Sequence, residues 1–209
     1  LSPVAGTEIT WINIIGLHNV ELIAQIGKQF DIHPLIMEDI LNTDQRSKAE
    51  VFENYLFMVL KTISLGMDGT LNIDQVSLII GNNWLLTFQE RDNHLFAPVK
   101  ERLEKSKGRL RKSGPDYLAY SQIDMIIDRY FVILEYLAGR LETLELEVIK
   151  NIKPDTLGSI YQLKRQLLYL RKAVWPLREE LNLIIRDENE FIAAPSIPYL
   201  RDLYDHTIQ

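Results

Sequence analysis

Two regimes of apolar spacing divide the chain. In the first, short segments alternate between strand-like and helix-like patterns. Thr10 to Ile15 reads as a strand, and Val20 to Phe30 places Ile23, Ile26 and Phe30 at helical intervals. Pro34 is suited to the first turn of a further helix, Leu35 to Leu41, with His33 at its start. Tyr55 to Leu65, Asp74 to Ile80 and Trp84 to Phe88 are rich in β-branched and aromatic residues and read as strands. Gly66, Asp68-Gly69 and Gly81-Asn82 supply the turns between them. Mixed strands and helices of this kind predict an α/β sheet with helical cover.

From Tyr117 the spacing changes. Apolar or aromatic residues fall at Tyr120, Ile123, Ile127, Tyr130, Leu134, Leu137, Leu141, Leu144 and Val148, in alternating steps of three and four. After a break at Asn151 to Asp155, where Pro154 fits a loop or a first helical turn, a second seam follows. It runs Ile160, Leu163, Leu167, Leu170, Val174, Leu177, Leu181 and Ile184. Two such helices on a short connection must fold back as an antiparallel pair, each roughly 30 residues and about 45 Å long. Pro176 falls inside the second and predicts a kink. A third helix is expected from Ser196, acting as its cap, with Pro198 in the first turn and Leu200, Leu203 and Thr207 on the inner face. No stop signal precedes Gln209 and no methionine stands at Leu1, so the chain is expected to be part of a longer protein, cut within that helix.

Composition narrows the function. The 209 residues suffice for a core without cross-links, and the absence of cysteine removes thiolate zinc sites, disulfides and thiol nucleophiles. A net charge of −6 argues against nucleic acid and favours small cations or a basic partner. The basic run at Lys100, Arg102, Lys105, Lys107, Arg109, Arg111 and Lys112 is interleaved with Glu101 and Glu104, and reads as a solvated helix end. No run approaches the ~20 apolar residues of a membrane span, and no signal peptide is evident at the start. No phosphate loop, nucleophile elbow, HExxH or EF-hand pattern occurs, so no enzyme is predicted. His18, His33, His94 and His206 are too dispersed for a local zinc site.

The carboxylates carry more. Glu38 and Asp39 are adjacent on the short helix, Asp124 and Asp128 share one face of the first long helix, and Asp202 and Asp205 precede His206 on the third. Acidic groups on three elements could supply oxygen ligands to a hard cation, although spacing alone favours solvated acidic faces.

One block sharpens this. His33-Pro34-Leu35-Ile36-Met37-Glu38-Asp39-Ile40-Leu41-Asn42, continuing to Lys48, resembles the N-terminal signature of the CorA family of magnesium and cobalt channels. Further similar blocks follow in order: Asp74 to Ile79, Thr87-Phe88, Asp128 to Phe131, Trp175 to Glu179 and Tyr204 to Thr207. Ser47 departs from the proline common in the family and bears only on the start of a strand. The resemblance implies an N-terminal α/β/α sandwich (1–114), a long antiparallel helical hairpin (115–190) and the start of a stalk helix (195–209). It implies a pentamer at the cytoplasmic face of a membrane, anchored through spans beyond Gln209, where the family's Gly-Met-Asn pore motif also lies. It further implies regulatory Mg2+, or Co2+, bound between subunits. Glu38 and Asp39 would face Asp202 of the adjacent subunit, Asp124 would serve a second metal position, and His206 lies close by. Bound cation would hold the pore closed, and depletion would free it. A zinc-transporting relative, or a soluble helical interaction module, stands as the alternative; the ion carried and the fragment's own oligomeric state stay open.

Overall fold

Tyr55 to Leu60 is apolar at every position, so a strand there must bury both faces. It does: Tyr55, Phe57 and Val59 enter one core, while Leu56, Met58 and Leu60 enter the other. The computed structural model describes residues 9–105, 108–150, 155–187 and 189–209. Its sheet has five strands, β1 (Thr10–Ile15), β2 (Lys48–Val51), β3 (Leu56–Leu65), β4 (Leu71–Ile80) and β5 (Trp84–Gln89), in the order β1-β5-β4-β3-β2. β1 runs parallel to β5, and the other neighbours are antiparallel.

Helices α1 (Val20–Gln29) and α2 (Pro34–Leu41) cover one face of the sheet through Ile23, Ile36, Met37 and Ile40. Gly27 permits their close approach, since a Cβ there would lie 2.8 Å from Met37 Sδ. The other face packs against α4 (Pro115–Lys150), α5 (Thr156–Arg186) and α6 (Ile197–Ile208) in one continuous core, with α3 (Ala97–Glu104) beside it through Val99. The result is the α/β/α arrangement with long helices that the sequence predicts. Gln122, fully buried on α4, accepts a 2.8 Å hydrogen bond from Thr87 Oγ1, which itself takes one from Trp11 Nε1 at 2.9 Å. This chain satisfies the Thr87 hydroxyl and the Gln122 carbonyl between sheet and helix, while Gln122 Nε2 is buried without a partner among the described residues.

The structure differs from the sequence reading in several places. β4 begins at Leu71, three residues before Asp74, because the tight turn at Gly66–Thr70 lets pairing start at once, Leu65 opposite Leu71. β2 and α3 have no range of their own in the sequence reading, although a strand start at Ser47 and a helix end in the basic run are expected; β2 is a four-residue edge strand, too short to show a period. Ser196 makes no side-chain cap. A 3-10 turn at Ala194–Ser196 leads straight into α6, and Ser196 N donates to Ala193 O at 2.8 Å. The seams are only partly buried: Leu134, Leu141, Val148, Ile160 and Leu167 are exposed, whereas Ile126 and Ile133, off the seam, are buried. α4 meets the sheet on one side and α5 and α6 on others, so no single stripe describes it. Pro176 lies within a continuous α5. Of the break expected at Asn151 to Asp155, residues 151–154 fall outside the described residues, and Asp155 immediately precedes α5.

Candidate metal centre

The sequence folds the acidic positions into two separate places. On α2, His33 caps the helix: its Nδ1 accepts from Leu35 N at 3.2 Å, and Pro34 follows with its preset φ. With Ile36, Met37 and Ile40 turned into the core, Glu38 is left exposed and Asp39 half-buried. Lys48 on the edge strand donates to Asp39 Oδ2 and Glu50 Oε1, each at 2.6 Å. Burial alone would lower the Lys48 pKa, but these two hydrogen bonds and charges outweigh it and hold it above its ordinary value. Asp39 is held from its backbone as well: Gln45 and Gln75 side-chain amides both donate to Asp39 O, the latter at 3.1 Å.

The second place lies where α4 meets α6. Ile123, Ile127, Leu203 and Thr207 are buried, which sets Asp124, Asp128, Asp202 and His206 within electrostatic range at the border of that contact. The pKa of Asp124 is raised. Its burial is the main cause, Asp128 and Asp202 add repulsion, and His206 and Arg102 oppose it. Tyr120 is pushed up to about 12, first by burial and then by Asp124 and other neighbours. His206 Nε2 stands 4.0 Å from Asp202 Oδ1, and its ring meets Phe131 edge-on at 6.0 Å. His206 Nδ1 is buried without a hydrogen-bond partner among the described residues.

Of the five sequence-nominated residues, Asp124, Asp202 and His206 are thus brought together, with Asp128. Glu38 and Asp39 are not, since α2 covers the opposite face of the sheet from α4 and α6. Among the described residues, no group of three or more His, Asp or Glu side chains lies close enough together to hold a metal ion. His33 is a helix cap, and His94 Nδ1 lies 3.4 Å from Asp92. Within the basic run Lys105 pairs with Glu101 and Arg111 Nε donates to Leu103 O at 2.6 Å, while Arg109 reaches α6 by donating to Tyr199 Oη; Lys107 lies outside the described residues.

Sequence reasoning missed Lys48 as the counter-ion of Asp39, Arg102 near Asp124, and the contact of Tyr117, Tyr120 and Tyr199 beside the acidic group. Only the tyrosines left a trace, as two aromatics three positions apart on one helix face.

The family model for CorA-like Mg2+ transporter protein matches residues 6–209. The cobalt/magnesium transport protein CorA of Thermotoga maritima is 47% identical over 96% of this chain, which spans 57% of that relative's length. Two solved structures share the fold. The complete CorA magnesium transporter from Methanocaldococcus jannaschii superposes with a TM-score of 0.84 at 20% identity, over 100% of this chain and 66% of that one. The soluble domain of CorA from the same organism gives 0.82 at 21%, over 95% and 79%. No helix among the described residues is long and apolar enough to cross a membrane.

Proposed function

The chain belongs to the CorA-like Mg2+ transporter family, and on that premise we propose that it is the metal-sensing, gate-controlling part of a divalent-cation channel for Mg2+ or Co2+, acting at the cytoplasmic face of a membrane. The observation that carries the reading is the acidic group between α4 and α6. Asp124 is held toward its protonated form beside Asp128 and Asp202, with an unpartnered imidazole nitrogen of His206 near them. Carboxylates packed against their mutual repulsion are stabilised by a divalent cation, and oxygen-rich donors suit a hard ion.

The residues fit Mg2+ in kind, and the fold keeps Glu38 and Asp39 away from the α4–α6 group, so each subunit would present two incomplete halves. Glu38 and Asp39 of one subunit would face Asp202 of the partner subunit, while Asp124 and His206 would serve the second position. Bound cation supplies positive charge that lets these acidic faces approach. Asp202 sits on α6, the start of the proposed stalk, so loss of that charge would let the faces repel and free α6 to tilt. Lys48 already neutralises part of Asp39, which would keep such a site weak and suited to sensing. The sites would hold subunits of a homo-pentamer together when cation is plentiful.

The test is proteolytic protection of the membrane-inserted pentamer. Mg2+ should slow cleavage of the parent protein, and Asp39→Ala with Asp202→Ala should abolish the slowing. Equal protection of the variant would sink the sensor reading.

A further inference from the structure

Two sequence blocks that the metal reading leaves unused line one cavity of about 810 Å3, the first through Thr43 to Arg46 and the second through Trp175, Pro176 and Glu179. It lies between the α2–β2 connection, Lys61 and Ile73 of the sheet, and α5. That volume is in the range of roughly 300–1,000 Å3 found for small-molecule sites.

The lining is cationic in a chain whose net charge is −6. Of the charged residues lining it, Arg46, Lys61, Arg171 and Lys172 outnumber Asp44 and Glu179, a surplus of two positive charges, four less two, although Glu90 and Asp74 outside the lining also act on Lys61. Among the described residues none of these four cations forms an ion pair with a carboxylate. The half-buried Lys61 ammonium donates to two neutral oxygens, Thr43 O at 2.7 Å and Gln75 Oε1 at 3.2 Å, and has a third donor to offer. Glu179 is engaged by Trp175 Nε1 at 3.1 Å. The Trp175 ring, 45% exposed, lies 4.5 Å from the Arg171 guanidinium. Leu168, Tyr169 and Pro176 extend this apolar side.

We propose that this cavity binds a small phosphate-bearing anion. Arg46, Lys61 and Lys172 take its phosphate oxygens, for which guanidinium forks and ammonium point charges are suited. Trp175 and Pro176 offer a surface for a flat apolar group, if the anion carries one. The inference stands apart from the metal reading, since none of Glu38, Asp39, Asp124, Asp202 and His206 lines this cavity.

Isothermal titration of the 209-residue chain in EDTA, with ADP in one arm and tripolyphosphate in the other, tests it. Both should bind saturably. The exposed-residue double variant Arg46→Gln with Lys172→Gln should weaken each by about tenfold or more, the loss of at least one charge-assisted hydrogen bond. Tighter binding of ADP, lost in Trp175→Leu, would identify a nucleotide; equal binding would identify an inorganic phosphate ligand. No saturable binding of either, or unchanged affinity in a folded double variant, would overturn the proposal.

Discussion

Replacing Asp124 with asparagine should stabilise the metal-free chain. The side chain keeps its shape, and three unfavourable effects go with the charge: burial of a carboxylate, repulsion from Asp128 one turn away, and repulsion from Asp202. Like charges four apart on a helix cost about 0.2–0.5 kcal/mol. The buried share of the charge adds a comparable amount and Asp202 somewhat less than Asp128, while the attraction lost to His206 and to exposed Arg102 takes back a few tenths. The net gain is about 0.2–0.8 kcal/mol, which for a chain of this size raises Tm by about 0.5–3 °C. Calorimetry in EDTA measures it directly. On the metal reading, the same variant should lose part of the extra stability that wild type gains when Mg2+ is added. A variant that melts below wild type in EDTA would refute the reasoning, because Asp124 would then belong to a stabilising network and not to a strained acidic group.

Two further outcomes follow from the packing and the charges. Leu203→Ala removes a fully buried side chain from the contact of α6 with the helical core, and should cost roughly 2–5 kcal/mol in urea unfolding; a loss below about 1 kcal/mol would show α6 only loosely docked. Glu180 ties α5 to β2 by accepting from Ala49 N at 3.0 Å, yet burial, its largest influence, raises its pKa. A carboxyl raised in the folded state takes up protons on folding, so its contribution is present at acid pH and lost as pH climbs from the ordinary glutamate range through the raised value. Glu180→Gln should remove that slope, and an unchanged slope across the window would show that Glu180 titrates normally.

What was legible in the sequence is what short-range pattern controls. The α2 cap at His33-Pro34, the turn at Gly66 to Thr70 and the inner face Leu200, Leu203 and Thr207 of α6 all follow from spacing and local chemistry. The seams misled because a stripe of alternating threes and fours says that a helix is wrapped, not by what. α4 is gripped first by a sheet and later by a single helix, so Ile133 is buried while Leu141 is not. Asp124, Asp202 and His206 were nominated from spacing and resemblance, but their shared environment needs α6 to return 78 residues later onto α4, and no local signal encodes that. The Lys48–Asp39 pair has the same character: Asp39 ends up beside Lys48 only because β2 pairs at the sheet edge next to α2. That pair also sets a condition on the proposed sensor. Any cation reaching Asp39 must compete with an ammonium already 2.6 Å from the carboxylate, so the affinity of that half cannot be read from its count of acidic residues.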